Sequence, residues 1–324
     1  MRNIVGIDIG GTKTSVVYAE CGDEIVFRDK TVFETRTDLG AQHTLNKIMQ
    51  SVYAVTNGRG SGSFAVGISC GGPLDARTGV ILGPPNLPGW ENVPIVDLIA
   101  SRFFVKAYLR NDADACALAE WKAGAGKGFD NIIFITFGTG LGAGLILNGR
   151  LYSGTSGLAG EIGHIRLEPF GPPGYGKIGS FEGFCSGGGI GQLSKTVLTA
   201  AGQSGKTSRI LDRCEINNIT AKDIFFCANE GDPAALSVVK TVGEHLGMGL
   251  SILIDILNPE RIIIGSIFER NEKLLSPYMN EVLAREALPA SLRDCRVVPS
   301  GLGDKIGDYA AVLTAVYGLD EEGL

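Results

Sequence analysis

The chain has 324 residues and a near-average apolar content, enough for about two packed domains. A net charge of −6 supplies no basic face to collect phosphates, so no nucleic-acid partner is expected. Seven scattered cysteines (Cys21, Cys70, Cys116, Cys185, Cys214, Cys227 and Cys295) lack C-x-x-C spacing, which argues against a disulfide framework or a cysteine zinc site and for a reducing, cytoplasmic setting.

The N-terminus runs directly into a strand pattern at residues 4–9 with no signal-peptide layout. That run ends at Gly10-Gly11, and a second run at residues 15–19 follows at once, which reads as a hairpin. A third run spans residues 24–33. Leu45, Ile48, Met49, Val52 and Tyr53 then recur at helical spacing. Residues 64–69 read as a strand ending at Gly71-Gly72-Pro73. A rigid loop follows at 84–90, a short helix at 94–104 and a strand at 105–110. The strand stops at Asn111-Asp112, and a helix is expected over 114–124.

Residues 131–147 repeat the opening pattern of strand, Gly-rich turn and strand. Gly138 answers Gly10 and Thr136 answers Asp8, which suggests two related lobes. A Gly-rich loop region over 154–191 and then helices follow. A long helix over 237–257 should stop at Asn258-Pro259. The mostly apolar part of that helix, 246–257, is shorter than a bilayer span and contains Asp255, so no membrane partner is expected. A buried strand is expected at 261–265, and an apolar helix at 308–317 that packs back on the first lobe. The fold class is therefore α/β.

The chemistry-bearing segments sit at these strand ends. In Asp8-Ile9-Gly10-Gly11-Thr12-Lys13-Thr14, glycines let backbone N–H groups approach a phosphate, and Asp8 suits the Mg²⁺ of MgATP through water; an ordinary hairpin turn with a solvated lysine reads the same way. Phe137-Gly138-Thr139-Gly140-Leu141-Gly142 is a second such turn. It also fits a relaxed dinucleotide fingerprint, but a strand rather than a helix follows it. Gly205-Lys206-Thr207 imitates the end of a Walker A motif without the first glycine, and is expected to be a surface loop. Asp112 suits a general base for a sugar hydroxyl. From the Asn111-Asp112 pair alone, a cap on the following helix is the commoner role. Glu161, His164 and Glu182 can accept hydrogen bonds from sugar hydroxyls, although a solvated glutamate and a partly buried histidine are the more ordinary fates.

Taken together and in order, these segments resemble the bacterial ROK family from end to end. Asp8-Ile9-Gly10-Gly11-Thr12-Lys13 and Gly138-Thr139-Gly140-Leu141-Gly142 resemble its two phosphate motifs. Asn111-Asp112 resembles the catalytic pair, Gly160-Glu161-Ile162-Gly163-His164 the signature segment, and Pro85-Asn86-Leu87-Pro88-Gly89-Trp90 the sugar-pocket loop. Residues 257–265 resemble the strand leading to the adenosine site. The resemblance implies a two-lobed actin-like, ribonuclease H-like fold, with a first lobe of residues 1–112 completed by a helix at 306–324 and a second lobe of 113–305. It implies an ATP-dependent kinase for a free hexose or N-acetylhexosamine at the 6-hydroxyl, glucokinase-like, and a homodimer. Asp112 would be the base; Asn86, Asn111, Glu161, His164 and Glu182 would hold sugar; Asp8, Gly10, Gly11, Thr12, Lys13, Gly138, Thr139, Gly140 and Gly265 would serve the nucleotide.

The sequence departs from the family in three places. Pro173, Tyr175 and Ser180 stand where a zinc cluster has thiolates, so no structural zinc is expected. The glycines near the adenosine site are reduced to Gly265-Ser266-Ile267-Phe268. Cys70-Gly71-Gly72-Pro73 replaces the more usual proline-glycine-proline order. Two further functions are expected as alternatives. One is a sugar-responsive repressor, which the same family contains; only Met1 to Asn3 precede the first strand here, where those members carry a helix-turn-helix. The other is a sugar-binding protein with a weak kinase site.

Overall fold

In the computed structural model, which describes residues 1–57, 63–204 and 207–324, the chain builds two five-stranded mixed sheets. β1 (Arg2–Ile9), β2 (Lys13–Cys21) and β3 (Ile25–Glu34) form an antiparallel meander, and α1 (Gly40–Val55) follows. β4 (Ala65–Cys70) joins β1 in parallel. A small hairpin of β5 (Leu74–Asp75) and β6 (Val80–Ile81) leads to α2 (Ile95–Phe103) and then β7 (Ala107–Asn111), parallel to β4. α3 (Asp112–Ala123) carries the chain to the second sheet.

There β8 (Ile132–Phe137), β9 (Leu141–Leu147) and β10 (Arg150–Leu151) repeat the antiparallel meander. The hairpin of β11 (Pro173–Gly174) and β12 (Lys177–Ile178) precedes five helices: α4 (Phe181–Phe184), α5 (Gly187–Gln203), α6 (Ile210–Arg213), α7 (Ala221–Asn229) and α8 (Pro233–Leu257). β13 (Arg261–Ile264) lies parallel to β8. After α9 (Ile267–Glu286) and α10 (Pro289–Asp294), β14 (Arg296–Pro299) extends the sheet in parallel, and α11 (Ile306–Glu321) follows. The strand orders β3-β2-β1-β4-β7 and β10-β9-β8-β13-β14 are the same topology twice, as the repeated hairpin pattern predicts.

α3 and α11 pack against each other between the sheets. Each is rich in alanine, and each meets a sheet where a glycine clears the way. Gly67 on β4 leaves no room for a Cβ against Ala311 O of α11, and Gly144 on β9 leaves none against Ala113 O of α3. Without side chains at these points the helices lie directly on the strands. α11 buries Val312 and Ala315 against Ile4, Val17 and Ala65 of the first sheet, and Ala310 and Leu313 on the side of the second. The outer face of the first sheet is covered by α1 and α2, that of the second by α5, α7, α8 and α9.

The loop from β14 to α11 is fixed by a fully buried carboxylate. Glu120 of α3 accepts hydrogen bonds from Ser300 Oγ (2.6 Å), Ala125 N (2.7 Å), Gly301 N (3.1 Å) and Leu302 N (3.1 Å). A buried charge is tolerated when so many donors converge on it.

Several elements differ from expectation. α3 begins at Asp112 rather than 114. Its cap is Asn111, whose Oδ1 accepts from Ala113 N at 2.9 Å, so Asp112 is not the cap residue. α5 emerges inside the Gly-rich region expected to be loop. Three glycines open it, but Ser186 caps it, and Gly189 sits so close to Gly183 O that a Cβ would not fit. α8 starts four residues early, with Asp232 as cap and Pro233 at its first position. Tyr53, counted on the apolar face of α1, is exposed. Gly205 and Lys206 of the Walker-like segment lie outside the described residues.

Candidate active site

The first glycine turn joins β1 to β2. Gly10 N donates to Lys13 O at 3.1 Å, and Thr35 Oγ1 donates to Gly10 O at 2.6 Å. A Cβ on Gly11 would lie 2.6 Å from Asn86 O, so the turn nests against the 84–90 loop and needs glycine there. Thr12 and Lys13 are exposed.

Asp8 is at the end of β1, level with Ser15 of β2 and Ser69 of β4. Its carboxyl is pushed up to about 6 by burial first, then by the charges of Asp112 and Asp308; a hydrogen bond from Ser69 and the charge of Lys13 oppose the rise. At the matching position of the second hairpin, Thr136 is occupied internally: its Oγ1 accepts from Gly142 N at 3.1 Å. The duplicated turns are therefore chemically unlike, with an ionisable group at one alone.

Asp112 starts α3 directly after β7. It is open to solvent yet set deep among protein atoms. That depth, and then the charges of Asp114 and Glu161, raise its carboxyl to about 6, against the pull of the Ala113 N hydrogen bond. Oδ1 accepts from Ala113 N at 2.9 Å. Oδ2 faces the same spot as the Asn86 amide: a Cβ on Gly71 would lie 3.9 Å from Oδ2 and 3.7 Å from both Asn86 terminal atoms. Gly72 similarly sits against Asn111 Nδ2, 3.1 Å from its would-be Cβ. The structure thus brings Asn86, Asn111 and Asp112 together around Gly71-Gly72, with a tight fit at Gly72 and ordinary contact distances at Gly71.

The second glycine turn is tied to two helix starts. Gly187 N, opening α5, donates to Gly138 O at 2.8 Å, and Ser266 Oγ lies 3.6 Å from where a Gly138 Cβ would be. Thr139 is exposed, and Gly140 would touch Glu182 Oε2 through a Cβ at 2.9 Å. Gly265 is buried against the Phe134 ring. Ser266, in front of α9, holds φ 59° and ψ −107°, a conformation that favours glycine.

Glu182 accepts from Leu141 N at 3.0 Å and so links α4 to this turn. Gly163 packs against the same carboxylate, which brings the signature segment alongside. Glu161 and His164 are exposed at the ends of a short 3₁₀ turn, and Glu161 is close enough to act on both Asp112 and Asp114. The 173–178 hairpin borders His164. Ser180 Oγ caps α4 by accepting from Gly183 N at 3.1 Å, and Phe181 is buried in the core, so packing and capping order the segment. Among the described residues no three His, Cys, Asp or Glu side chains converge as a metal site.

Sequence reasoning missed Ser69, Asp114, Asp308 and Gly307. Ser69 was findable from register, because the ends of β1 and β4 align. Asp114 is buried at 6% exposure, accepts from Ser153 Oγ at 2.8 Å and is raised to about 6 by burial first. Asp308 accepts from Lys30 Nζ at 2.6 Å and Ser15 Oγ at 3.3 Å; no local motif marks it.

A model of the ROK family matches residues 4–315. The chain is 36% identical to a glucokinase of Halalkalibacterium halodurans over 282 residues, 85% of this chain and 84% of that one. A ROK glucokinase from Streptomyces griseus, solved with glucose and AMPPNP, superimposes with a TM-score of 0.77 at 29% identity, over 97% of this chain and 99% of the other. A ROK transcriptional regulator homologous to the E. coli MLC protein superimposes with a TM-score of 0.82 at 28% identity, over 97% of this chain and 78% of the regulator.

Proposed function

The chain belongs to the ROK family, and from that premise we propose that it is an ATP-dependent sugar kinase acting on a free hexose or N-acetylhexosamine at the 6-hydroxyl, with glucose favoured. The observation that carries this reading is Asp112: a solvent-open carboxylate raised to about 6, whose Oδ2 faces the same spot as the Asn86 amide. A base whose pKa lies near neutrality can be ionised at working pH and still accept a proton in the transition state.

In the proposed reaction Asp112 Oδ2 takes the proton of the 6-hydroxyl as that oxygen bonds to the γ-phosphorus and the bond to the ADP oxygen breaks. Asn86, Asn111, Glu161, His164 and Glu182 hold sugar hydroxyls. Backbone N–H groups of Gly11, Thr12, Thr139 and Gly140 meet the phosphates; Gly10 and Gly138, whose N–H groups close the turns on Lys13 O and Gly140 O, shape the two phosphate turns, with Lys13 adding charge and Gly265 supporting the adenosine side. The crowding of Asp8 by Asp112 and Asp308 fits a cation, since one carboxylate with water and phosphate oxygens suffices for Mg²⁺. When bound there, such an ion would neutralise charge on the transferred group. The reading takes residues 1–112 with 306–324 as one lobe and 113–305 as the other, needs no zinc, and includes a homodimer.

A coupled ADP-release assay with MgATP against glucose, mannose, fructose, allose, N-acetylglucosamine and N-acetylmannosamine tests it. Turnover of one of these sugars that disappears in Asp112→Asn, with sugar binding kept in calorimetry, supports it; wild-type turnover in Asp112→Asn removes the general-base assignment. The likeness to a ROK regulator favours a second reading as a sugar sensor. Saturable operator binding at physiological salt, with no turnover of any sugar, would establish that one instead.

A further inference from the structure

Tyr175 is in a conformation that its side chain does not favour. It and Gly176 are the two loop residues between β11 and β12, with φ 44° and 76°. Positive φ at both central positions is a type I′ turn, where Asn, Asp or Gly is the usual first residue. An aromatic residue there costs stability. Burial does not repay that cost, since Tyr175 is 70% exposed. What the ring does touch is His164, edge to face, with centroids 5.3 Å apart.

The rest of the hairpin serves the same neighbour. Lys177 Nζ donates to His164 O at 2.5 Å, and Arg166 Nη1 donates to Ile178 O at 2.6 Å, which fixes the hairpin to the signature segment on both sides. Among the described residues the His164 imidazole takes part in no hydrogen bond, so the Tyr175 ring is the contact that orients it. His164 is exposed, and its neighbour Gly163 packs on Glu182 beside the second glycine turn.

We propose that Tyr175 is a positioning residue for sugar binding: held over His164 by a strained type I′ turn, it orients the imidazole toward the sugar hydroxyl that His164 receives. This rests on the kinase reading given above and on His164 as a sugar contact. A fixed imidazole loses no rotamer freedom when sugar binds, so the contribution appears in KM rather than in the chemical step.

The test separates fold from function by sign. Tyr175→Gly and Tyr175→Asn relax the turn and should leave Tm equal or raised, while sugar KM rises roughly 2- to 10-fold, the weight of one edge-to-face ring pair, and kcat changes little. Tyr175→Phe keeps the ring and should restore the KM seen with tyrosine. In a His164→Ala background, where sugar KM is already raised, Tyr175→Gly should add nothing. Unchanged sugar KM in both Tyr175→Gly and Tyr175→Asn overturns the proposal. A further rise in the His164→Ala background also overturns it, because Tyr175 then acts on the sugar directly. Failure of the reading beneath it looks different: His164→Ala alone leaves sugar KM unchanged, or no sugar is turned over by the parent protein.

Discussion

Gly307, in the first turn of α11, lies directly against Asp8: a Cβ there would sit 2.5 Å from Oδ2. The last described helix therefore meets the carboxylate at the first glycine turn, and the contact tolerates no side chain. Gly307→Ala should push Asp8 aside. Misplacement on this scale lowers kcat/KM for MgATP roughly 10- to 100-fold. Sugar affinity measured by calorimetry should hold, and a loss confined to sugar would contradict the placement of Asp8 at the phosphates.

The pH–rate profile follows from Asp112. A base must be ionised to act, and the raised carboxyl titrates at about 6. The kcat/KM for sugar should climb as pH rises through about 6 and level off above it. Asp8 has a similar value, so the limb can reflect both carboxyls. An acid limb near the ordinary carboxylate range of about 4 would mean that its surroundings do not perturb Asp112 as described.

Asp114 should be a liability at neutral pH. Its carboxyl is raised from 3.8 to about 6, so the folded state holds the proton more tightly than the unfolded chain. Stability from this group is therefore greatest below its unfolded value and falls as pH rises from about 4 through about 6. Asp114→Asn removes the charge and can still accept from Ser153 Oγ. At pH 8 it should gain on the order of 1–3 kcal/mol in urea denaturation, and the gain should vanish toward pH 4. An equal gain at both pH values would point to packing instead.

Ser266 carries backbone strain at φ 59° and ψ −107°. Ser266→Gly should relieve it and stabilise the fold by about 1 kcal/mol, read as a raised Tm. Ser266→Ala, which removes the hydroxyl but keeps the strain, should not. Comparing the two in MgATP KM shows whether the hydroxyl facing Gly138 matters to the nucleotide.

The repeated hairpins were legible because alternation and glycine placement are local signals. Val16 and Tyr18 face one way and Val17 and Ala19 the other, and Gly10 and Gly138 mark both turns. The topology was legible through the same repeat. α5 was not, because three glycines argue against a helix until Ser186 and the close approach to Gly183 are seen. The positions of Asp8, Asn111 and Asp112 were legible, since the first two lie at strand ends and the third directly follows one. Asp308 and Gly307 were hidden, since the return of α11 brings them to Asp8 from a distant part of the chain, whereas Ser69 follows from the alignment of β4 with β1. Tyr175 was visible only as a missing thiolate; its turn conformation and its contact with His164 are properties of the folded hairpin.

The place of α11 between the sheets has a consequence for synthesis. Ile4, Val17, Ala19 and Ala65 are translated early, but the residues that cover them, Val312 and Ala315, are translated near the end. The first sheet leaves the ribosome with one face dressed by α1 and α2 and the other bare. A nascent chain in this state carries an uncovered apolar strand surface for most of its translation, and the first sheet is covered on both faces only after the second has been made.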